Sequence, residues 1–406
     1  MWEKIFLRMV GHLIRHGTLS VTMPDGSTHH FGDGAGDKVA VTITEPEVLR
    51  RFLLSPELAI GEAYTDGHLT IEDDDLYGLI ALGTKNLTLG KGHGLERLIA
   101  PMMRRINQFN PMSRARRNVA HHYDLSGALY DLFLDKDKQY SCAYFRDPNF
   151  TLEQAQEAKK AHIAGKLRLQ PGMRVLDIGC GWGGMALTLA RDYGVNVVGV
   201  TLSEEQHKVG TDRVRAAGLE DKIDLRLTDY RKVTEDFDRV VSVGMFEHVG
   251  VPHYREYFNA VHDRLTEDGI ALIHTIGRAG PPGRTSPWID KYIFPGGYVP
   301  SMSEAMQAIE REQLWTTDVE VWRLHYAETL RHWHDRFMAN IDKVKEIYDE
   351  RFCRMWRFYL IASELTFRHA QQVVFQFQLA RKQDAVPLTR DYLYAPHEDR
   401  IQDAAE

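Results

Sequence analysis

The pattern of apolar and polar positions divides the chain into regions of different character. Short apolar runs at 174–178, 195–201, 223–228, 238–243 and 269–275 predict strands, and the segments between them have helical periodicity. This alternation is typical of a parallel, doubly wound sheet in an α/β fold. Two later runs, 316–322 and 373–379, predict closing antiparallel strands, with a charged and aromatic helical region between them at about 326–368.

The N-terminal region predicts a smaller α+β domain at residues 1–83. Its amphipathic first residues predict a helix, the runs 17–23, 29–32 and 39–43 predict strands, and 45–54 predicts a second helix. This region carries no catalytic constellation of its own. We expect a basic linker at 84–120, the larger domain at 121–383 and a polar tail at 384–406.

Composition narrows the class of protein. The chain has 406 residues and a formal net charge of −7, which argues against a generic polyanion binder. No stretch approaches the ~20 apolar residues that a membrane span needs. The three cysteines, Cys142, Cys180 and Cys353, form no C-x-x-C pair and no metal-ligand spacing. These features indicate a two-domain protein of a reducing cytosol without a metal site.

A basic stretch within the expected linker has three interpretations. Arginines alternate there with apolar residues, at Arg97, Arg104, Arg105, Arg114, Arg116 and Arg117. They form either a solvated helix face or a peripheral membrane contact in which arginines meet lipid phosphates. Nucleic-acid binding is the weakest interpretation, because nothing else in the chain supports it.

A glycine cluster follows the first strand of the larger domain. The sequence VLDIGCGWGG at 175–184 predicts a strand, a tight turn and a helix start, where backbone N–H groups can point at a ligand. Gly179, Gly181 and Gly184 satisfy the dinucleotide spacing G-x-G-x-x-G. With Asp177, however, the pattern D-x-G-x-G-x-G resembles motif I of S-adenosylmethionine (SAM) methyltransferases. An acid at Asp177 can hold the SAM ammonium, so we favour SAM.

Polar residues after the next two strands are further cofactor candidates. Thr201 and Gln206 can hydrogen-bond ribose hydroxyls, although both could instead cap the following helix. Asp229 and Tyr230 follow the third strand and can bracket an adenine with an acceptor and a ring, as the fold template suggests.

Candidate acid–base groups follow the fourth and fifth strands. Glu247 comes directly after the fourth strand, at the edge where such folds perform chemistry. His274 ends the fifth strand and is either a satisfied core residue or a partner of Glu247. Cys142 has no basic neighbour in sequence, which disfavours a nucleophilic role.

Seven motifs together resemble the cyclopropane-fatty-acyl-phospholipid synthase family over roughly residues 10–380. They are QYSCAYF at 139–145, VLDIGCGWGG at 175–184, TLSEEQ at 201–206, VGMFEHVG at 243–250, HTIG at 274–277, KYIFPGG at 291–297 and HYAETL at 325–330. The N-terminal module is similar to that of bacterial members acting on phospholipids, whereas mycolic-acid cyclopropane synthases share only the later motifs.

The resemblance implies a Rossmann-like class I SAM methyltransferase sheet and specific ligand contacts. SAM contacts would fall on Tyr140, Ser141, Val175, Asp177, Gly179, Gly181, Gly183, Thr201, Leu202, Gln206, Asp229 and Tyr230. A bound bicarbonate would be the base, held by Cys142, Glu247, His274, Ile276 and Tyr326, with Cys142 and Ile276 contributing mainly backbone groups. Residues 278–300 would line the acyl channel.

The implied enzyme transfers a methylene group from SAM to the cis double bond of unsaturated acyl chains in membrane phospholipids and forms a cyclopropane ring. We expect it to be cytoplasmic, peripheral at the inner membrane surface, homodimeric and without a nucleic-acid partner. The nearest alternative is a C-methyltransferase of the same family that gives methyl-branched or methylene acyl chains. A lipid-binding protein with a relict cofactor site is disfavoured by the intact glycine motif and Glu247. A methyltransferase for a small polar molecule is disfavoured by the arginines and the 278–300 segment.

Overall fold

The computed structural model describes residues 2–36, 38–89 and 127–394, which group by contacts into two compact units. The first unit comprises 2–36, 38–89, 285–294 and 327–371, and the second comprises 127–284, 295–326 and 372–394. The domain ranges predicted from the sequence are continuous segments of the chain, and they remain a prediction. The arginines at 97–117 lie outside the described residues.

A mixed four-stranded sheet forms one layer of the first unit. Its strands are β1 (Thr18–Thr22), β2 (Thr28–Gly32), β3 (Lys38–Ile43) and β4 (Leu69–Ile71), in the order β2-β1-β3-β4 within the described ranges. Strand β1 pairs antiparallel with β2 and parallel with β3. The three predicted N-terminal strands are therefore confirmed.

Helices from distant parts of the sequence complete the first unit. They are Trp2–Leu13, Pro46–Leu54, Pro56–Thr65, Leu76–Leu89, Pro287–Tyr292, Ile341–Ile347 and Glu350–His369, with His325–Ala339 from Ala327 onward. Trp288 is buried against Phe358, with ring centroids 4.7 Å apart. Its indole lies so close to Gly61 that a side-chain carbon there would come within 2.4 Å. Aromatic packing thus joins segments that are far apart in sequence.

The second unit is built on a seven-stranded sheet in the part of the chain that the structure describes. The strands are β5 (Arg174–Ile178), β6 (Asn196–Thr201), β7 (Ile223–Leu227), β8 (Phe237–Val243), β9 (Leu265–Arg278), β10 (Trp315–Trp322) and β11 (Gln372–Ala380). Their order is β10-β11-β9-β8-β5-β6-β7. Strands β9, β8, β5, β6 and β7 are mutually parallel. Strand β11 runs antiparallel to both of its neighbours, β9 and β10. The predicted strands and the α/β class I methyltransferase fold are confirmed.

Helices cover this sheet on both faces. They are Gly127–Phe133, Leu152–Leu167, Gly184–Tyr193, Glu204–Ala216, Tyr254–Arg264 and Met302–Arg311. Among the described residues, one core cluster includes Phe246, Tyr257 and Phe377, and another includes Ile163 and Leu189. Almost all of these side chains are fully buried, so the sheet is a packed central layer.

Helix boundaries follow local capping chemistry. The predicted capping box is present, because Thr151 Oγ1 accepts the N–H of Gln154 and Gln154 Oε1 accepts the N–H of Thr151. The helical region predicted at about 326–368 is divided into three helices. Breaks occur at Asn340 and Asp349, and Asp349 accepts the N–H of Phe352 at 2.7 Å. Short polar side chains of this kind compete with helical backbone bonds.

The strand order reverses at β5, which has β6 on one side and β8 on the other. Ligands of open α/β sheets bind at such a switch point, beyond the carboxyl ends of the strands. Asp177, Thr201, Glu247 and His274 all lie at or near this edge. Among the described residues, no helix is both long and apolar enough to cross a bilayer.

Candidate active site

A cleft opens at the switch point of the second unit's sheet. Its lining comprises Lys138, Gln139, Tyr140, Ser141, Asp177, Ile178, Gly179, Cys180, Gly181, Trp182, Gly184, Met185, Val200, Thr201, Leu202, Gln206, Thr228, Asp229, Tyr230, Arg231, Val243, Gly244, Met245, His248, Val249, His253, Pro295 and Gly296. Every predicted cofactor residue except Val175 and Gly183 belongs to this lining. Val175 is instead a core residue of β5, and Gly183 precedes the helix Gly184–Tyr193.

The glycine turn forms the floor of the cleft. Gly179 and Gly181 have φ of +83° and +54°, conformations that residues with side chains rarely adopt. The N–H groups of Gly179 and Cys180 both donate to Val200 O, at 2.9 and 3.0 Å. No atom lies within 4 Å of the place where a side-chain carbon at Gly181 would be. The turn is therefore anchored to β6 and leaves open space above the helix N-terminus.

Asp177 places a buried carboxyl group on the wall of the cleft. The residue is 1% exposed, and its Oδ2 has no hydrogen-bond partner among the described residues. Burial raises the pKa of Asp177 to about 7. An unpaired buried carboxylate is costly, so this side chain favours a ligand that brings a cation or a donor. The ammonium group of SAM meets that requirement.

Thr201 and Gln206 form the side of the cleft beyond β6. Thr201 Oγ1 donates to Gln206 Oε1 at 3.0 Å, and both side chains are buried. Ser203 caps the helix Glu204–Ala216 by accepting the N–H of Gln206 at 3.2 Å. The side-chain cap allowed by the sequence thus belongs to Ser203, which leaves the Thr201–Gln206 pair facing the cleft.

The predicted adenine residues lie at the far end of the cleft. Arg231, which sequence reasoning missed, donates from Nε and Nη2 to the carboxylate of Asp229 at 2.8 and 2.7 Å. Burial opposes ionisation of Asp229, but these bonds hold its pKa below the ordinary value. Tyr230 packs edge-on against Tyr257, with ring centroids 5.5 Å apart. Asp229 is therefore already paired, and Tyr230 offers a fixed ring.

Two polar residues of the helix Leu152–Leu167 support the loop that carries Gln139 and Ser141. Gln156 Nε2 donates to the backbone oxygens of Gln139 and Ser141, at 3.3 and 3.0 Å. Lys159 Nζ donates to Gln139 Oε1 at 2.6 Å and to Ser141 Oγ at 2.8 Å. Sequence reasoning missed both residues. The available signal was their spacing, which places them on the same helix face as the buried Leu152.

Three of the five predicted base-site residues are carried by β9 and by the turn after β8. Glu247 Oε1 accepts the N–H of Ile276 at 2.6 Å, whereas Glu247 Oε2 is buried without a hydrogen-bond partner in the described ranges. Burial raises the pKa of Glu247 to about 7. His274 is also buried, and burial, reinforced by Lys159 and Lys166, lowers its pKa well below the ordinary value. The site thus combines a carboxyl that is easily protonated with a neutral imidazole.

Strand β11 fixes the imidazole of His274. Gln376 Nε2 lies 3.0 Å from His274 Nδ1, and the two residues are cross-strand partners. With a neutral ring, the amide donates to Nδ1 and the ring proton resides on Nε2. The neighbouring Gly277 faces the ring of Phe375, and a side-chain carbon at Gly277 would lie 2.1 Å from that ring.

Cys142 is buried in a loop, and Tyr326 is buried at the start of a helix. The thiol of Cys142 donates to Ala143 O at 3.3 Å, which is compatible with a backbone role toward a ligand. Tyr326 lies in the first turn of His325–Ala339, where His325 Nδ1 accepts the N–H of Phe145 at 3.2 Å. The five predicted base-site residues are not part of the cleft lining.

Comparison with known proteins gives concordant matches. A family model described as mycolic acid cyclopropane synthetase matches residues 111–377, and a domain of unknown function matches residues 5–87. A probable fatty acid methyltransferase of Pseudomonas putida is 36% identical over 390 residues, which cover 93% of this chain and 97% of that protein. The cyclopropane-fatty-acyl-phospholipid synthase of Escherichia coli K12 is 39% identical over 348 residues, or 84% of this chain and 87% of that protein.

A solved structure gives a match of the same kind. Mycolic acid cyclopropane synthase CmaA1, complexed with SAH and CTAB, superposes with a TM-score of 0.63 at 35% identity. The match covers 67% of this chain and 99% of CmaA1.

Replacing Asp177 with Asn separates ligand binding from folding. We expect Asp177→Asn to lose most of its SAM affinity, since the carboxylate that we expect to face the ammonium is gone. Because the pKa of Asp177 is raised from 3.8 to about 7, ligand-free wild type loses stability as pH rises through that window. The variant escapes this loss and should melt no lower than wild type at about pH 8. Calorimetry with SAM and thermal unfolding provide the two measurements.

The same titration gives a pH signature for the wild type. SAM affinity should rise between about pH 6 and about pH 8 as Asp177 ionises, and the slope should vanish in Asp177→Asn. Asp221→Asn, at an exposed position, is the matched control. Near-normal SAM affinity of Asp177→Asn at about pH 8 would contradict the assignment.

The family model and the two full-length relatives agree with the geometry of the cleft. Buried Asp177, the glycine turn and the Thr201–Gln206 pair fit SAM, and the matched relatives act on lipids by name. The chain belongs to the mycolic acid cyclopropane synthetase family, which includes cyclopropane-fatty-acyl-phospholipid synthases, and it is a SAM-dependent methyltransferase that modifies lipids.

Proposed function

We propose that this enzyme transfers a methylene group from SAM to the cis double bond of unsaturated acyl chains in membrane phospholipids, forming a cyclopropane ring. The observation that carries the proposal is the buried group of Glu247, His274 and the Ile276 N–H beside the SAM cleft. Methyl transfer to a tertiary amine or a thioether, which has no proton to lose, needs no such group. Ring formation needs one, because a proton must leave after the methyl group has been transferred.

The reaction sets two requirements for the site. The π electrons of the alkene form a bond to the methyl carbon as the sulfonium leaves as a neutral thioether. The resulting carbocation loses a proton from the transferred methyl group, and the ring closes. When bound, SAM supplies the carbon and bicarbonate supplies the base. The protein must hold a poorly nucleophilic alkene near the methyl group and exclude water, which would trap the cation.

The residues near Glu247 are suited to holding a small oxyanion. A protonated Glu247 can donate from Oε2, which has no partner in the described part of the chain, and His274 can donate from Nε2. In this structure the N–H of Ile276 is used by Glu247. Ile276 therefore orients the acid directly. We propose bicarbonate as the anion and Cys142 and Tyr326 as its remaining contacts.

A bilayer substrate is supported by the surface of the first helix. Phe6 of this helix is buried against Phe52, whereas Trp2 and Ile5 are 47% and 45% exposed. The cations Lys4 and Arg8 are also exposed on this helix. Exposed aromatic and aliphatic side chains beside cations are typical of helices that lie on anionic bilayers. The resemblance to the family further leads us to propose a homodimer at the inner membrane surface.

A second candidate reaction uses the same cation. If the cation loses a different proton, the product is a methyl-branched or methylene acyl chain. The Pseudomonas putida relative, a probable fatty acid methyltransferase, favours keeping this alternative. The site residues are compatible with both outcomes, because the choice depends on which proton faces the base.

The product distinguishes the two reactions. Purified enzyme with SAM and vesicles of a cis-monounsaturated phosphatidylglycerol should give lipids that gain one CH₂ per modified chain. Mass spectrometry measures the gain, and proton NMR should detect upfield ring protons. The same gain without ring protons would establish the branched product, and activity only on free fatty acids would contradict the phospholipid substrate.

Vesicle binding tests the proposed bilayer contact. Trp2→Ser/Ile5→Ser should weaken binding to anionic vesicles and raise the lipid concentration for half-maximal rate, with SAM affinity unchanged. Leu388→Ser, at a fully exposed apolar position, is the matched control.

Gln substitutions in the basic stretch should weaken binding to anionic vesicles by about 1 kcal/mol per well-placed charge. The residues replaced are Arg104, Arg105, Arg114, Arg116 and Arg117. Unchanged binding in both variants would refute the contact.

Bicarbonate dependence tests the base. Glu247→Gln keeps the shape of the side chain and a hydrogen-bond donor but cannot exchange a proton with the anion, so turnover should fall by roughly 10²–10⁴ while SAM binding survives. Strict removal of bicarbonate from wild type should reproduce the loss, and its return should restore the rate. Glu310→Gln, at an exposed site, should behave as wild type. A wild-type rate independent of bicarbonate would favour Glu247 itself as the base.

A further inference from the structure

Lys159 differs from the other buried lysines of its helix in what it contacts. Lys160 lies 2.8 Å from Asp137 and from Glu157, and Lys166 lies 2.6 Å from Glu320. Lys159 is 0% exposed and contacts no carboxylate among the described residues. Its Nζ donates to two neutral oxygens, those of the Gln139 amide and the Ser141 hydroxyl. A buried ammonium without a paired anion is costly, so its retention calls for a compensating partner.

This ammonium lies between the SAM cleft and the proposed base site. Its two hydrogen-bond partners line the cleft, and Ser141 directly precedes Cys142. Its charge also reaches His274, whose pKa it lowers after the larger effect of burial. Lys159 is thus the cation behind both the loop of Cys142 and the imidazole of His274.

The other cations that act on His274 are already paired: Lys166 and His162 also lower its pKa, but each lies 2.6 Å from Glu320. His274 is neutral, Glu247 is an acid, and the remaining members contribute a phenol and backbone groups. An oxyanion that enters such a buried site pays a desolvation cost that neutral donors only partly offset. A positive charge behind the site would offset the rest.

We propose that Lys159 is a positioning residue that supplies the counter-charge for the oxyanion at Glu247 and His274. This inference rests on the proposed function, because it assumes that a small anion such as bicarbonate is the base. Lys159 acts through Ser141 and through its field, and it forms no covalent bond. The same hydrogen bonds fix the loop of Gln139 and Ser141, so the cation supports the cofactor site and the base site together.

The state of Lys159 gives the site a pH dependence. Burial lowers the pKa of Lys159 to about 8, partly offset by Asp135 and Asp137. The groups that face it are Asp135, Asp137, Lys160, Cys142 and His274. Its charge is present below about pH 8 and is lost as pH rises through that value. Bicarbonate affinity should therefore fall above about pH 8.

The test compares bicarbonate and SAM requirements in two variants of one helix. Lys159→Met removes the charge and keeps the length of the side chain. Gln156→Met is the matched control, since Gln156 is neutral, equally buried and bonded to the same loop. Lys159→Met should raise the bicarbonate concentration for half-maximal rate by about tenfold or more, with a smaller change in the SAM dissociation constant. Gln156→Met should not raise the bicarbonate requirement selectively.

Wild type provides a measurement that needs no variant. Its half-saturating bicarbonate concentration, corrected for carbonate formation, should rise between about pH 7 and about pH 9. A flat profile, or equal bicarbonate shifts in Lys159→Met and Gln156→Met, would overturn the role of Lys159 and leave the proposed function intact. A wild-type rate that ignores bicarbonate altogether would overturn both. If Lys159→Met fails to fold, the pH profile of Glu247→Gln decides, because residue 247 no longer titrates there and a remaining rise near pH 8 reports Lys159.

Discussion

The structure of the second unit depends on one constraint: charged and polar groups are buried at the carboxyl edge of a parallel sheet. Strands β5 and β8 separate there, so their last residues meet a space that backbone pairing does not fill. Asp177 and Glu247 both point oxygen atoms into buried positions where the described chain offers no partner. Each carboxyl therefore has a raised pKa and gains from a ligand. The fold stores, in these unsatisfied groups, part of the free energy that later favours binding.

The two carboxyls meet this constraint in different ways. Asp177 faces the cleft directly and is suited to a cation. Glu247 is anchored at one oxygen by the N–H of Ile276, and it is suited to donating a proton to an anion or accepting one from it. Because Asp177 lies on β5 and Glu247 follows the neighbouring strand β8, the proposed cofactor site and the proposed base site are adjacent and favour ligands of opposite charge. This separation is what a reaction through a carbocation requires.

Sequence patterns predicted the central sheet well, because strand and helix periodicities are local and strong in β5 to β9. The glycine turn was also predictable, since Gly179 and Gly181 need backbone conformations that few other residues adopt. The sequence predicted helices at about 326–368, but it did not predict that 285–294 and 327–371 belong to the first unit. Their place depends on contacts such as that of Trp288 with Gly61, which join residues far apart in sequence. Local periodicity carries no information about such partners.

Some residues of the candidate site could be predicted from local sequence, and others depend on contacts between distant segments. Asp177, Thr201 and Glu247 could be found because they follow strands whose ends share one edge. The base-site residues Cys142, Ile276 and Tyr326 came from family resemblance, since nothing in their local sequence indicates chemistry. Lys159 and Gln156 were missed because a polar residue within a helix is usually exposed. Only their contacts with the loop of Gln139 and Ser141 reveal that both are internal supports.

The close packing of Gly277 against Phe375 has a consequence for how this family can change. Glycine at 277 and the phenylalanine ring share one space between β9 and β11, next to the residues that present the imidazole and the Ile276 N–H. A larger residue at 277 is tolerated only after residue 375 has become smaller. Either single change is costly, because a smaller residue at 375 alone leaves a cavity and a larger residue at 277 alone creates a clash. The two positions should therefore evolve as a pair, and the strand that carries His274 should resist drift more strongly than its exposure alone would indicate.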